Sequence, residues 1–104
     1  MLINIQSNAY EVKPVLGRYG NGRVSIQLVI KETYEPLLTC TVNLPDHPLK
    51  KEEAFIKNWS ENKGVLRWMK KNNLIKEIIG YQKTGYVKAP KVKLNMKKLK
   101  EKEE

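Results

Sequence analysis

The chain has 104 residues, with 20 Lys and Arg against 11 Asp and Glu, a formal net charge of +9. This length fits one domain with a modest core, and a single cysteine excludes an internal disulfide, which suits a reducing cytoplasm. No apolar run approaches the roughly 18 residues of a membrane-spanning helix, and the start MLINIQSNAYEVK lacks the basic and long apolar regions of a signal peptide.

In chain order, EVKPV reads as the end of a first strand, because Pro14 has no amide hydrogen and suits an edge or a strand end. GRYGNGR is a turn, with three glycines in seven residues. RVSIQLVIK alternates: Val24, Ile26, Leu28 and Ile30 share one face and Ser25 and Gln27 the other, the pattern of a half-buried strand. After the turn KETYEP, LLTCTVNL alternates again, with Leu38, Cys40, Val42 and Leu44 expected inward and Thr39, Thr41 and Asn43 outward. The two strands predict an antiparallel hairpin. Pro45 and Pro48 then break the sheet, LKKEE is a polar loop, and AFIKNW is a short apolar run that periodicity does not assign.

One helix is expected from about Ser60 to Asn72. Ser60 would be its N-cap, with Glu61 at the positive end of the dipole. Val65, Leu66, Trp68 and Met69 gather on one side, and Lys63, Arg67, Lys70 and Lys71 on the other. IKEIIGYQ and GYVKAPKVKL predict a second hairpin around KTG. Past Pro90, Val92, Leu94 and Met96 alternate with Lys91, Lys93, Asn95 and Lys97. The end, KKLKEKEE, carries too little apolar surface to pack and reads as a frayed helix or disordered tail.

The charge is segregated. Residues 1–62 carry seven basic and seven acidic side chains, whereas residues 63–104 carry 13 basic and four acidic. The whole excess lies in the second segment, a cost in self-repulsion that points to an acidic partner.

Thr41-Val42-Asn43-Leu44, Glu53-Ala54-Phe55-Ile56, the helix over 61–72, Thr84-Gly85-Tyr86 and Pro90 follow one another in an order that is itself distinctive. From about Val24 to Leu94 this order resembles an uncharacterised family of short proteins carried by phages, plasmids and conjugative elements of Gram-positive bacteria. Two features depart from that family's pattern. Lys57-Asn58-Trp59 stands where the family often has an acidic-Thr-Asn-Asn step, and the C-terminus is lysine-rich. The resemblance implies a small cytoplasmic accessory protein of a mobile element, without catalytic residues. Some mobile-element proteins of this size inhibit host defences such as CRISPR nucleases, so an anti-CRISPR role is expected by analogy.

Catalysis finds little support. Cys40, His47 and Asp46 could be drawn as a set, but Cys40 shares the inward phase of its strand and would be an inert core thiol. Asp46 and His47 sit between prolines, where turn chemistry accounts for the aspartate. One Cys and one His are too few for a zinc site. Gly17, Gly20 and Gly22 join two strands, with no helix N-terminus following to receive a phosphate. No cofactor and no small-molecule substrate is expected.

The basic surface carries the functional expectation. Lys63, Arg67, Lys70 and Lys71 form a helix stripe; Lys83, Lys88, Lys91 and Lys93 decorate the second hairpin; Tyr81, Tyr86 and Trp59 offer stacking surfaces for unpaired bases. Lysine attracts phosphates without reading bases, so contact would be sequence-independent. Solvated helix faces and solubility tails also collect lysine, and completeness of the segregation favours a partner.

The expected fold is α+β: one domain over residues 1–95, a small antiparallel sheet of four to five strands with one helix packed on a face, then a charged tail over 96–104. The expected function is non-enzymatic: a mobile-element accessory protein inhibiting a host nucleoprotein nuclease complex through RNA, single-stranded DNA or their binding step. The alternative is a plain single-strand or RNA-binding accessory protein. Either would act in the bacterial cytoplasm, away from membranes. DNA mimicry is excluded by the sign of the charge.

Overall fold

β1 (Leu2–Ile5) and β2 (Asn8–Arg18) form a hairpin around Gln6 and Ser7, whose φ angles of 49° and 67° are both left-handed. Positive φ at both central positions matches the twist of the flanking strands. β3 (Val24–Ile30) and β4 (Pro36–Thr39) complete an antiparallel sheet in the order β1-β2-β3-β4. β5 (Thr41–Val42), β6 (Glu53–Ile56), β7 (Ile75–Thr84) and β8 (Val87–Leu94) form a second antiparallel sheet in the order β5-β6-β8-β7. Two short helices complete this computed structural model, which describes residues 1–104: α1 (Val65–Lys71) and α2 (Met96–Glu103).

The fold is therefore mostly β, and the expected α+β architecture of one sheet under one helix is overturned. The cause lies at Cys40. LLTCTVNL alternates as one strand would, yet the chain leaves the first sheet at Thr39 and enters the second at Thr41. The Cys40 N–H donates to the Ile26 carbonyl in β3, and its own carbonyl accepts from Lys57 N–H just past β6, each at 2.8 Å. One residue is thus bonded to both sheets. The alternation breaks there: Thr41 is buried instead of outward, and its Oγ1 accepts from Ile26 N–H at 3.1 Å.

The two sheets share one core. Ile3, Val12, Val24, Ile26 and Leu28 of the first cluster with Ala54, Ile56, Ile75, Val92 and Leu94 of the second. Phe55 points to the opposite face from Ala54 and Ile56, because strand side chains alternate. It is nevertheless buried. The loop after β5 folds over it, with the His47 ring edge-on at 6.4 Å between centroids. Arg23 fixes that loop by donating to the carbonyls of Leu44 and His47. Asp46 and His47 thus belong to a structural lid over Phe55.

Pro14 lies within β2 and does not end it. Val12 exchanges hydrogen bonds with Met1, so Val12, Pro14 and Leu16 turn their amide positions toward the same edge. β1 does not extend alongside Pro14, so the missing donor costs no ladder bond there. Two residues on, Leu16 N–H is satisfied by the Glu103 carboxylate of α2 at 2.6 Å. The expectation of a frayed or disordered tail is corrected by α2. Asn95 caps it, accepting from Lys98 N–H at 3.2 Å, and Leu99 is fully buried. Leu99, with half-buried Met96 packed against the same core, suffices because the open edge of β2 gives the helix a place to dock.

Candidate nucleic-acid interface

The helix that carries the basic stripe is shorter than its sequence suggests. Ser60–Asn62 is a 3-10 turn, and Gly64, with φ +92°, separates it from α1. Ser60 has φ +57° and is not the N-cap. The cap comes from upstream, where Asn58 Oδ1 accepts from Leu66 N–H at 3.0 Å. The C-terminal end is a Schellman motif: Leu74 N–H donates to Met69 O and Asn73 N–H to Lys70 O, with Asn73 at φ +60°. Asn tolerates that conformation better than most residues.

Between these ends α1 buries Val65 and Met69 and exposes Arg67, Lys70 and Lys71, with exposed Lys63 just ahead. None of these four cations makes a hydrogen bond or ion pair within the chain; the three ion pairs are Met1–Glu11, Lys57–Glu61 and Lys91–Glu53. A groove of about 500 Å³ runs between β1 and α1. Lys63, Arg67 and Lys71 line it together with Ile3, Ile5 and Trp68, whereas Lys70 lies outside. Glu61 also lines the groove, but the hydrogen bond from Lys57 and those of its own turn hold its carboxyl down at about 2. Its charge is thereby matched by Lys57, leaving three unmatched cations.

The hairpin residues do not form one row. Tyr81 lies opposite Pro90 and Lys83 opposite Lys88, so Tyr81, Lys83 and Lys88 share a face. Lys91 and Lys93 point to the other face, where Lys91 Nζ lies 3.8 Å from Glu53 Oε1. Lys93 sits in register between Glu53 and Glu77 on the neighbouring strands. The period of two in β8 divides them, and local carboxylates offset much of the field of Lys91 and Lys93. Tyr86 is fully exposed beside Gly85 (φ +58°) in the two-residue turn, and Tyr81 is 60% exposed. Trp59 is half-buried.

Cys40 is completely buried, and desolvation pushes its thiol up to about 12. The thiol therefore stays protonated and unreactive around neutral pH. A thiol reagent is expected to label the native protein slowly and the urea-unfolded protein at once; rapid native labelling would contradict this placement.

Sequence reasoning missed the groove itself. Its second wall, Ile3 and Ile5, comes from β1, a strand whose only sequence signal is the alternation of Ile3 and Ile5 with Asn4 ahead of a polar QSN step. Trp68 falls in the apolar arc of the helix pattern, yet its Nε1–H crosses to the Leu2 carbonyl at 2.6 Å.

No cluster of three His, Cys, Asp or Glu side chains is placed to hold a metal, and no helix is long and apolar enough to cross a membrane. No curated protein and no solved structure matches the chain. The profile of a family described as a domain of unknown function, DUF4313, matches residues 15–104, a span that takes in α1, the β7–β8 hairpin and α2, and the chain belongs to that family.

Proposed function

We propose that this protein is a non-enzymatic, sequence-independent binder of single-stranded nucleic acid, acting in the cytoplasm of a bacterial host. One observation carries the reading: Lys63, Arg67 and Lys71 line a single groove with no internal partner for their charge. Unmatched cations on one wall attract phosphates and release condensed counterions. Tyr81, Lys83 and Lys88 on the hairpin offer a second contact of the same chemistry. In the setting of a mobile element, such a protein would protect its carrier by occupying the guide or target strand of a nucleoprotein nuclease.

The test is a titration of fluorescent RNA and single-stranded DNA at several salt concentrations. Three phosphate contacts in the groove predict a log–log salt slope of about −2, at roughly −0.7 per contact. Absence of salt-dependent binding would sink the proposal. Adding the protein to a guide-loaded CRISPR nuclease then separates the two biological readings. Slowed cleavage supports a defence inhibitor, and binding without inhibition supports a plain accessory binder.

A further inference from the structure

We infer that the groove between β1 and α1 is a pocket for one unpaired nucleotide, with the indole of Trp68 as the surface on which the base stacks. This rests on the nucleic-acid reading and deepens it: it turns a patch of charge into a site with a shape. Trp68 is half-buried against the core and lines the groove. Its Nε1–H donates to the Leu2 carbonyl at 2.6 Å, which ties the ring to β1 across the groove. A ring held in this way loses little further freedom when a base lands on it.

The rest of the lining divides by chemistry. Ile3, Ile5, Leu38 and Val65 supply apolar surface, and Lys63, Arg67 and Lys71 supply the charge for the phosphates of the strand on either side of that nucleotide. β1 adds polar groups. Met1 pairs with Val12, so by alternation Leu2 and Asn4 direct their backbone groups away from β2, toward the open edge. The Leu2 carbonyl there is taken by Trp68, while the Asn4 N–H and C=O make no hydrogen bond within the chain and are free for a base edge. The volume, about 500 Å³, lies within the range of small-ligand clefts, roughly 300–1,000 Å³. A base locked in a duplex cannot reach an aromatic wall of this kind.

An acidic peptide added as a strand along β1 is the competing occupant. It is disfavoured because β1 turns only Leu2 and Asn4 outward, and Trp68 already uses one of their acceptors. Strand addition draws its affinity from main-chain hydrogen bonds, and too few remain.

The chain has two tryptophans, so Trp59→Phe leaves Trp68 as the sole indole reporter. In that background, oligo(uridine) and oligo(thymidine) are expected to quench Trp68 emission; duplex DNA and polyglutamate are not. Quenching by either oligomer supports the pocket, and stronger quenching by oligo(uridine) supports it with an added contact to the 2′-hydroxyl. Trp68→Leu is expected to weaken single-strand binding about 5- to 150-fold. Its salt slope should be unchanged, a pattern that mere loss of charge does not give. Salt-dependent binding without quenching, and with Trp68→Leu as tight as wild type, overturns the pocket and leaves the polyanion reading standing. Quenching by polyglutamate to the same extent also overturns it, in favour of an acidic polypeptide. No binding of any oligonucleotide removes both. If Trp68→Leu fails to fold, quenching in the Trp59→Phe protein decides alone.

Discussion

Leu99→Ala is expected to cost about 3 kcal/mol of stability, within the ~2–5 kcal/mol typical of a fully buried leucine. Leu99 is completely buried in the shared core, although every residue from Lys97 to Glu104 other than Leu99 itself is charged. The loss would combine the apolar transfer term with a cavity that the two sheets cannot close, since Leu99 is the one fully buried side chain of α2 and only half-buried Met96 packs beside it. The measure is the urea midpoint at constant m-value. Lys97→Ala with Lys100→Ala, both exposed, is the control and should leave the midpoint in place. A wild-type midpoint for Leu99→Ala would show that α2 does not dock. Out of a total stability of ~5–15 kcal/mol for a domain, a loss of this size is large.

Charge reversal in the groove should have the largest effect on binding. Lys63→Glu/Arg67→Glu/Lys71→Glu removes three phosphate contacts and is expected to flatten the log–log salt slope by about 2 units, at roughly 0.7 each. At ~1 kcal/mol per exposed charge contact, affinity at low salt falls about a hundredfold. The three side chains are exposed and unpaired, so the fold should survive; circular dichroism checks this. Lys70→Glu lies on the same helix but outside the groove, and should cost clearly less. Equal losses for Lys70→Glu and for each groove variant would mean that a diffuse field does the binding. No loss for the triple variant would move the contact to Tyr81, Lys83 and Lys88.

What the sequence reveals of this fold is local. β3 is legible because Val24, Ile26 and Leu28 face one core without interruption. The β7–β8 hairpin is legible from the turn signal between two strand-like runs, with its turn at Gly85 and Tyr86 instead of centred on KTG. Cys40 is where local reading fails: periodicity gives the face of a side chain but cannot say which sheet receives the next residue. Phe55 fails differently, since it is buried on the outer face by a loop held through Arg23, a contact no strand pattern encodes. The basic stripe on α1 is plain in the sequence, whereas the groove it lines needs β1, some 60 residues away in the chain, and so appears only in three dimensions. Lys88, Lys91 and Lys93 look like one row in the sequence, and the β8 pleat splits them.

The carboxylate of Glu103 that covers Leu16 N–H joins residues 87 positions apart, and the indole that reaches Leu2 joins residues 66 apart. Contacts this distant yield nothing until a long stretch of chain has been brought together, and closing such loops costs entropy in advance. Strand pairing is otherwise mostly between consecutive strands, with β6–β8 the exception, so these two fastenings are expected to form after the hairpins. Until α2 docks, the edge of β2 beyond β1 stays open to pairing with another chain. The transient vulnerability of this protein is therefore self-association during folding, at an edge that the native state keeps closed.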